Sequence, residues 1–299
     1  MGRIVILEGP DGGGKTTLAR QLVEQYGFYY KHEGPPAPYR DNIAYYLSIL
    51  NEAIEALYNT VFDRCWLGEM IYGPIFRGID TIGEKGLKLF LRLHNSKYIY
   101  QYIVWPNKET LLVNYREKMN DSTDYVKGVE NLNKVIELYE KTPFKTYNYE
   151  VNKVEDIIYD LRNDKSTLPI GTIGSTSAKY LFIGDKPNHH TIDVPFFAIT
   201  NSSGYFNEAL ELAKIKECDL ALSNAYSLSG KPHSLSIIID KLPKLETIFL
   251  MGNIAKEWYY SQHKEFPCVN INHPSYLRRF HGHNPQIMAD IIKESLNGY

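Results

Sequence analysis

The residues whose types and spacing are best suited to chemistry lie near the amino terminus. Residues 9–16 read GPDGGGKT and match the complete pattern G-x-x-x-x-G-K-[ST]. Glycines at these positions let the backbone curl so that its N–H groups point inward at a polyphosphate. Residues 3–8 before the motif have the pattern of a buried strand, and residues 17–23 have helical spacing. This context predicts a phosphate-binding loop rather than an empty glycine-rich turn.

The polar residues of this loop have predicted roles with ATP and Mg²⁺. Lys15 would reach the β- and γ-phosphates, and the hydroxyl of Thr16 would hold Mg²⁺. The positive end of the following helix would add to the attraction for phosphate. The residues predicted to bind ATP are Gly9, Asp11, Gly12, Gly13, Gly14, Lys15, Thr16 and Thr17.

An acidic and a basic residue follow a second apolar strand. The segment 60–62 ends at Asp63 and Arg64. Ligands of parallel sheets bind beyond the carboxyl ends of the strands, so Asp63 would hold Mg²⁺ through water or accept a proton from an attacking oxygen. Arg64 would form a two-pronged contact with a phosphate of the acceptor. An exposed ion pair that only closes the strand is the alternative interpretation.

Composition sets limits on the class of protein. The 299 residues are enough for two ordinary domains, and 43% hydrophobic with 23% charged residues is typical of a globular protein. The net charge of -2 gives no general attraction to nucleic acid or anionic membrane. Cys65, Cys218 and Cys268 have neither disulfide-framework nor cluster-ligand spacing. Since no stretch approaches the roughly 18 apolar residues of a membrane span and no signal segment is visible, we expect a cytoplasmic protein without membrane association.

Strand and helix patterns alternate along the chain. Residues 1–162 and 179–299 each show this alternation, which favours a parallel sheet with helices on both faces. Residues 163–178 contain turn-forming residues without periodicity, and we interpret them as a linker. The predicted fold is therefore α/β, with two three-layer α/β/α domains.

The first domain resembles thymidylate kinases and their deoxynucleoside-kinase relatives. The residues that carry the resemblance are 6–17, Phe62-Asp63-Arg64, Val104-Trp105-Pro106 and Arg116. In addition, residues 67–78, LGEMIYGPIFRG, are similar to a variant found in bacteriophage-encoded members. The resemblance implies a P-loop kinase that uses ATP and Mg²⁺, a homodimer, and the host cytoplasm if the chain is phage-encoded.

The same resemblance implies roles for individual residues. Lys15, Asp63, Arg64 and Arg116 would be catalytic, with Asp63 as the base or the metal-side carboxylate. Arg64 and Arg77 would face the acceptor together with Tyr72, and Arg116 would belong to a lid. Tyr72 and Arg77 are equally compatible with the edge of the core.

The second domain resembles uracil-DNA glycosylases in four segments that occur in the family's order. These segments are 184–188 (GDKPN), 194–197 with 203–206, 223–225 (SNA) and 272–277 (NHPSYL). The resemblance implies a pocket for a pyrimidine extruded from DNA. Its predicted residues are Gly184, Asp185, Pro187, Asn188, Phe197, Asn224, His273 and Ser275.

The chemistry of these residues suits an extruded base. Phe197 offers a stacking face, the amide of Asn224 pairs with a pyrimidine edge, and Asp185 orients water. His273 would donate to O2 of the base, although a structural histidine before a proline turn is the alternative. Asn188 replaces the small glycine of the pattern, so we expect recognition of a base rather than cleavage of its bond.

Three functions stay open from the sequence. The first is an ATP-dependent kinase that phosphorylates a pyrimidine deoxynucleotide, with a second domain that recognises a pyrimidine or DNA. The second is a kinase that acts on 5-hydroxymethyluracil within DNA, in phage thymine hypermodification. The third is a base-binding or glycosylase module whose phosphate loop is only a nucleotide-gated switch.

Overall fold

The computed structural model describes residues 2–34, 41–56, 58–94, 98–119, 123–163, 168–169, 171–186, 201–227, 229–262 and 265–297. The chain divides into two compact units. The first comprises Met1–Leu87 and Tyr98–Asp164, and the second comprises Lys88–Lys97 and Lys165–Tyr299. No helix within the described ranges is long and apolar enough to cross a membrane.

The first unit contains a parallel sheet of five strands. They are β1 (Ile4–Glu8), β2 (Tyr29–His32), β3 (Thr60–Asp63), β4 (Ile99–Val104) and β5 (Lys145–Tyr147). Their order is β2-β3-β1-β4-β5, and every neighbouring pair is parallel. The α-helices between the start of β1 and residue 163 are α1 (Lys15–Tyr26), α2 (Asn42–Glu55), α3 (Trp66–Tyr72), α4 (Gly83–His94), α5 (Lys108–Lys118), α6 (Thr123–Glu140) and α7 (Val154–Asn163). The α/β class with a parallel sheet is thereby confirmed for this unit.

Both faces of this sheet are covered. Val5 and Leu7 of β1 pack in one apolar cluster with α1 and with Ile157 of α7. Ile4 and Ile6 point to the opposite face and are also fully buried, and α2 contacts β1. Because successive side chains of a strand alternate between faces, a strand buried at every position needs helices on both sides.

The second unit contains another sheet of five strands. They are β6 (Thr172–Gly174), β7 (Tyr180–Gly184), β8 (Leu220–Asn224), β9 (Thr247–Met251) and β10 (Cys268–Ile271). Their order is β10-β9-β7-β8-β6, with only the edge strand β6 antiparallel to its neighbour among these strands. Its helices are α8 (Asn201–Leu212), α9 (Leu235–Ile239), α10 (Asn253–Ser261), α11 (Pro274–Phe280) and α12 (Gln286–Asn297).

The core of this unit also lies on both faces of its sheet. Leu181 of β7 packs with Ile238 of α9 and Trp258 of α10. On the opposite face Phe182 stacks on Phe249, with ring centroids 4.4 Å apart and planes inclined by 6°. Hence β7 and β9 are central strands that are buried from two sides.

Several elements were not predicted from the sequence. Strand β6 lies inside the predicted linker 163–178, and its three residues are too few to show an alternating pattern. Helix α3 and the π-helical turn Gly73–Arg77 lie in a segment whose glycines and proline obscure helical periodicity. Helix α11 begins at Pro274, a position where proline is well tolerated in a helix. The structure also assigns residues 88–97 to the second unit. The pattern of apolar residues along the sequence does not indicate to which unit a helix belongs.

Arg92 of α4 lies within residues 88–97, and its charged side chain is buried. Its guanidinium donates to Glu217 at 2.7 and 2.6 Å and to the side-chain oxygen of Asn207 at 2.6 Å. Lys88, one helical turn earlier, pairs with Glu211 at 3.4 Å, and this pair is much more exposed. Helix α4 therefore carries a buried arginine with two hydrogen-bonded partners and a lysine in a more exposed pair.

We expect Arg92→Ala to lower the free energy of unfolding of the second unit by about 2 to 4 kcal/mol, because it leaves Glu217 and Asn207 without their partner. Lys88→Ala is the matched control and should cost less than about 1 kcal/mol. Urea unfolding followed by circular dichroism measures both values. Equal losses in the two variants would contradict this account.

Candidate functional site

The glycine-rich loop curls tightly against the end of β4. Gly9, Gly12 and Gly14 have φ values of +138°, +78° and +87°, which favour glycine. A Cβ atom on Gly13 would lie 2.5 Å from the carbonyl oxygen of Val104. Close approach to β4 therefore requires glycine at this position, which explains the run of three glycines before α1.

Lys15 fills the centre of this loop. It is buried, and its ammonium donates to the carbonyl oxygens of Gly9 at 2.8 Å and Pro10 at 2.7 Å. Burial lowers the pKa of Lys15 to about 8, and the nearby charge of Arg64 acts in the same direction. A group with this pKa is still mainly protonated at pH 7. The loop thus holds a positive charge where a phosphate would bind.

Thr16 and Asp63 lie in direct contact at the end of β3. The hydroxyl of Thr16 donates to Oδ2 of Asp63 at 2.6 Å, and the hydroxyl of Tyr30 donates to the same oxygen at 3.1 Å. Within the described residues no donor reaches Oδ1 of Asp63, although this atom is buried. A buried carboxylate oxygen without a donor beside a hydroxyl fits Mg²⁺, which prefers oxygen ligands and completes its shell with water and phosphate. The predicted magnesium ligands therefore lie together.

Arg64 occupies an unusual backbone conformation directly after β3. Its φ is +74°, a value that residues with a side chain rarely adopt, and its N–H donates to the carbonyl oxygen of Leu7 at 3.0 Å. Its guanidinium pairs with Asp11 and lies 5.1 Å from the ring centre of Tyr72. Lys118 pairs with Asp11 at 3.3 Å. Burial acts to raise the pKa of Asp11, but these cations outweigh it and hold that pKa below its usual value.

Two clefts open on these residues. The first has a volume of about 830 Å³ and is lined by the glycine-rich loop, Asp63 and Arg64. The second has a volume of about 490 Å³. Four residues line both clefts, and they are Asp11, His32, Arg64 and Lys118. Volumes of this size suit nucleotide-sized ligands, so the arrangement offers adjoining places for a donor and an acceptor.

The predicted residues are distributed unequally over these clefts. Thr17 lines the first cleft, and Tyr72 and Arg77 line the second. Arg116 is exposed on α5, whereas Lys118 of the same helix lines both clefts within the described part of the chain. The role of Arg116 stays a prediction. The sequence did not predict a role for Lys118. Arg116 and Lys118 are two residues apart on one helix, and the sequence alone does not show which of them points to the glycine-rich loop.

Glu8 is a second residue that the sequence analysis missed. Its carboxylate is fully buried, accepts the N–H of Cys65 at 2.8 Å and accepts the hydroxyl of Tyr139 at 3.3 Å. Burial raises the pKa of Glu8 to about 7 against the opposing effect of the Gly68 and Cys65 N–H groups and of Arg64. An acidic residue that ends an apolar strand just before the motif is the signal that could have identified it.

In the second unit, predicted pocket residues gather at the carboxyl ends of three strands. Gly184 and Asn224 are register partners at the ends of β7 and β8. Oδ1 of Asp185 accepts the N–H of Ala255 at 3.3 Å. A Cβ atom on Gly252 would lie 3.2 Å from Cβ of His273 and 3.3 Å from Oδ1 of Asp185. Pro187, Asn188 and Phe197 lie outside the described residues.

The hydrogen bonds of His273 define its tautomer. Nδ1 accepts the backbone N–H of Ser275 at 3.2 Å, so the hydroxyl of Ser275 donates to the same nitrogen at 2.6 Å. In the neutral ring the proton is then on Nε2. Burial lowers the pKa of His273, although the charge of Asp185 opposes this effect. His273 therefore offers Nε2 as a donor in its neutral form, and it is also the residue that caps α11.

Comparisons with known proteins give matches among solved structures only. No family model and no curated protein matches the sequence. The YorR protein from Bacillus subtilis, in complex with phosphorylated GDP, is similar at 16% identity over 53% of this chain and 93% of that chain, with a TM-score of 0.41. Deoxyadenosine kinase from M. mycoides with products dCMP and dCDP bound is similar at 18% identity over 54% of this chain and 100% of that chain, with a TM-score of 0.34. Shikimate kinase from Acinetobacter baumannii, in complex with shikimate, is similar at 17% identity over 55% of this chain and 96% of that chain, with a TM-score of 0.33.

We expect Gly13→Ala to reduce the affinity for Mg²⁺-ATP by about tenfold or more, because the added methyl group collides with β4 and displaces the loop. Gly27→Ala is the control, since a Cβ at Gly27 meets no atom within 4 Å. Its left-handed φ makes that variant about 1 kcal/mol less stable without altering the loop. Isothermal titration calorimetry measures the two affinities, and an unchanged affinity in Gly13→Ala would refute this description of the loop.

The raised pKa of Glu8 predicts a pH dependence of stability. Between pH 4.5 and 7 the folded state binds the proton of this carboxyl group and the unfolded state does not. The free energy of unfolding therefore falls as pH rises through this window, by up to about 1.4 kcal/mol per pH unit. Glu8→Gln should lose this slope, and Tyr139→Phe should keep it because the carboxyl group is still present. Urea unfolding at pH 5, 6 and 7 compares the slopes, and identical slopes in wild type and Glu8→Gln would contradict the assignment.

Proposed function

We propose that the chain is an ATP-dependent phosphotransferase of the nucleotide-kinase type whose acceptor carries a pyrimidine. The observation that carries the proposal is the convergence of Lys15, Thr16 and Asp63 beside a cleft that shares Arg64 with a second cleft. The first cleft would hold ATP, and the second would hold the acceptor. Adjoining sites are what direct transfer of a phosphoryl group needs.

The residues of the first cleft would stabilise charge on the transferred group. The ammonium of Lys15 would exchange its carbonyl partners for phosphate oxygens, and the first turn of α1 would offer N–H groups to phosphate. Mg²⁺ held by Thr16 and Asp63 would neutralise the β- and γ-phosphates. Arg64 would add positive charge at the boundary between the clefts.

An aromatic wall in the second cleft supports a planar acceptor. Tyr72 and Phe76 line this cleft with stacked rings, whose centroids are 5.6 Å apart and whose planes are inclined by 16°. A pyrimidine ring can pack against such a surface. The hydroxyl of Tyr72 also accepts the N–H of Asp11, which ties the wall to the glycine-rich loop.

A modified pyrimidine within DNA is the second candidate acceptor, and the second unit favours it. Asn224 at a strand end and the ring of His273 are groups that can read a pyrimidine edge. Ser275, Arg278 and Arg279 line a nearby cavity of about 370 Å³ that suits phosphate. We propose that this unit recognises a pyrimidine, and that 5-hydroxymethyluracil in DNA is the alternative acceptor.

We expect Lys15→Ala to reduce phosphoryl transfer by about a thousandfold, because the cation opposing the migrating group is lost. Lys145→Ala is the control, since this exposed lysine pairs with Asp160 and lines neither cleft within the described residues. The assay supplies labelled ATP and Mg²⁺ with free pyrimidine deoxynucleotides or with DNA that carries 5-hydroxymethyluracil. Transfer retained in Lys15→Ala would refute the proposed role, and ATP turnover that no acceptor accelerates would instead favour a nucleotide-gated switch.

A further inference from the structure

The charges of the second cleft are already balanced by the protein. Its three permanently cationic side chains within the described residues are Arg64, Arg77 and Lys118. Arg64 and Lys118 both pair with Asp11, and Arg77 pairs with Glu69. Together with Glu33 this gives three cations and three carboxylates among the described lining residues, so their formal charge is zero.

Hydrogen bonds fix Glu69 beside Arg77 in this cleft. Its side chain is only 3% exposed, and it accepts hydrogen bonds from Arg77 and, at 3.0 Å, from the hydroxyl of Thr81. The amide of Asn42 donates to Thr81 at 2.7 Å and fixes the network from behind. A buried carboxylate in such a network cannot turn to solvent, so Arg77 stays neutralised.

A charge-balanced cleft favours an uncharged acceptor. A phosphate monoester carries about -1.5 to -2 charges at pH 7 and must lose water on entering. Desolvation of this charge is unfavourable unless unpaired cations receive it, and here each arginine already has a carboxylate partner. A hydroxyl group loses much less hydration and needs no counter-charge.

We propose that the group phosphorylated by this chain is an uncharged hydroxyl on a pyrimidine nucleoside unit, and that Glu69 disfavours a phosphate monoester as acceptor by neutralising Arg77. The inference rests on the proposed kinase function and specifies the acceptor class within it. The hydroxyl belongs either to a free nucleoside or to a hydroxymethyl pyrimidine, free or in DNA.

Transfer of the phosphoryl group forms one bond and breaks another. The hydroxyl oxygen forms a bond to the γ-phosphorus of ATP, and the bond from this phosphorus to the bridging oxygen of the β-phosphate breaks, so that ADP leaves with the electron pair. The hydroxyl proton passes to Glu33, the cleft carboxylate that forms no ion pair within the described residues. Glu33 accepts the hydroxyl of Tyr45 at 2.5 Å and is partly exposed, so it can release the proton to solvent.

The deciding experiment offers both acceptor groups on one molecule. 5-Hydroxymethyl-deoxyuridylate carries a phosphate and a primary hydroxyl, and ³¹P NMR distinguishes a new diphosphate from a new phosphate ester. We expect the ester from the wild-type chain, in at least about tenfold excess. Separate reactions with thymidine, with 5-hydroxymethyl-deoxyuridine and with an oligonucleotide that contains 5-hydroxymethyluracil identify the source of the hydroxyl.

Two variants test the role of Glu69. Glu69→Gln leaves Arg77 with an uncompensated charge, so the ratio of diphosphate to ester should rise by about tenfold. Thr81→Val removes a neutral partner from the same carboxylate but keeps its ion pair with Arg77, so the ratio should change much less than in Glu69→Gln. Because the ratio is internal to each reaction, it does not depend on the fraction of folded protein.

The outcomes separate this inference from the proposed function. Lys15-dependent formation of the diphosphate by the wild-type chain would overturn the hydroxyl preference and leave the kinase function intact. An equal ratio in Glu69→Gln and Thr81→Val would overturn the role of Glu69. Lys15-dependent label on none of these acceptors would overturn the kinase function itself, and this inference with it.

Discussion

The burial of opposite charges at the ends of β1 and β3 is the constraint on which the candidate site depends. Glu8, Lys15 and Asp63 are almost completely buried, and Asp11 and Arg64 lie partly buried beside them. Charges can leave water only when partners compensate them, so the position of each group fixes the others. Lys15 meets carbonyl oxygens, Asp63 meets two hydroxyls, and Glu8 moves towards its neutral form. Contacts within the protein therefore hold the glycine-rich loop in a defined shape.

Strand order places both groups of functional residues. In the first sheet the chain leaves β1 and β4 towards opposite edges, and the glycine-rich loop packs between their carboxyl ends. In the second sheet the chain leaves β7 and β9 towards opposite edges, and Asp185 and Gly252 meet at that point. A crevice at such a switch point exists because no crossover helix covers it. The two units thus use the same topological rule, each with its own residues.

The sequence predicted the parts of the fold that follow from local patterns. The apolar strands β1, β3, β4, β7 and β9 and the motif between β1 and α1 were all recognised, because buried central strands and glycine-rich turns leave strong signals. The short edge strand β6 and the glycine-containing helix α3 leave weak signals, so they were missed. Distant pairings leave no local signal. The contact of Glu8 with Cys65 and the pair of Glu69 with Arg77 depend on the fold and became evident only from the structure.

Arg64 shows how backbone strain and charge pairing combine in this site. Its N–H continues the hydrogen bonding of β3 with β1 for one more residue, while its positive φ turns the chain away from the sheet. A left-handed conformation costs a residue with a side chain about 1 kcal/mol or more. The pair with Asp11 and the contact with Tyr72 offset this cost, and Asp11 lines both clefts whereas Tyr72 lines the second. A glycine would relieve the strain but would lose both contacts. The strained turn therefore places a guanidinium between the two clefts.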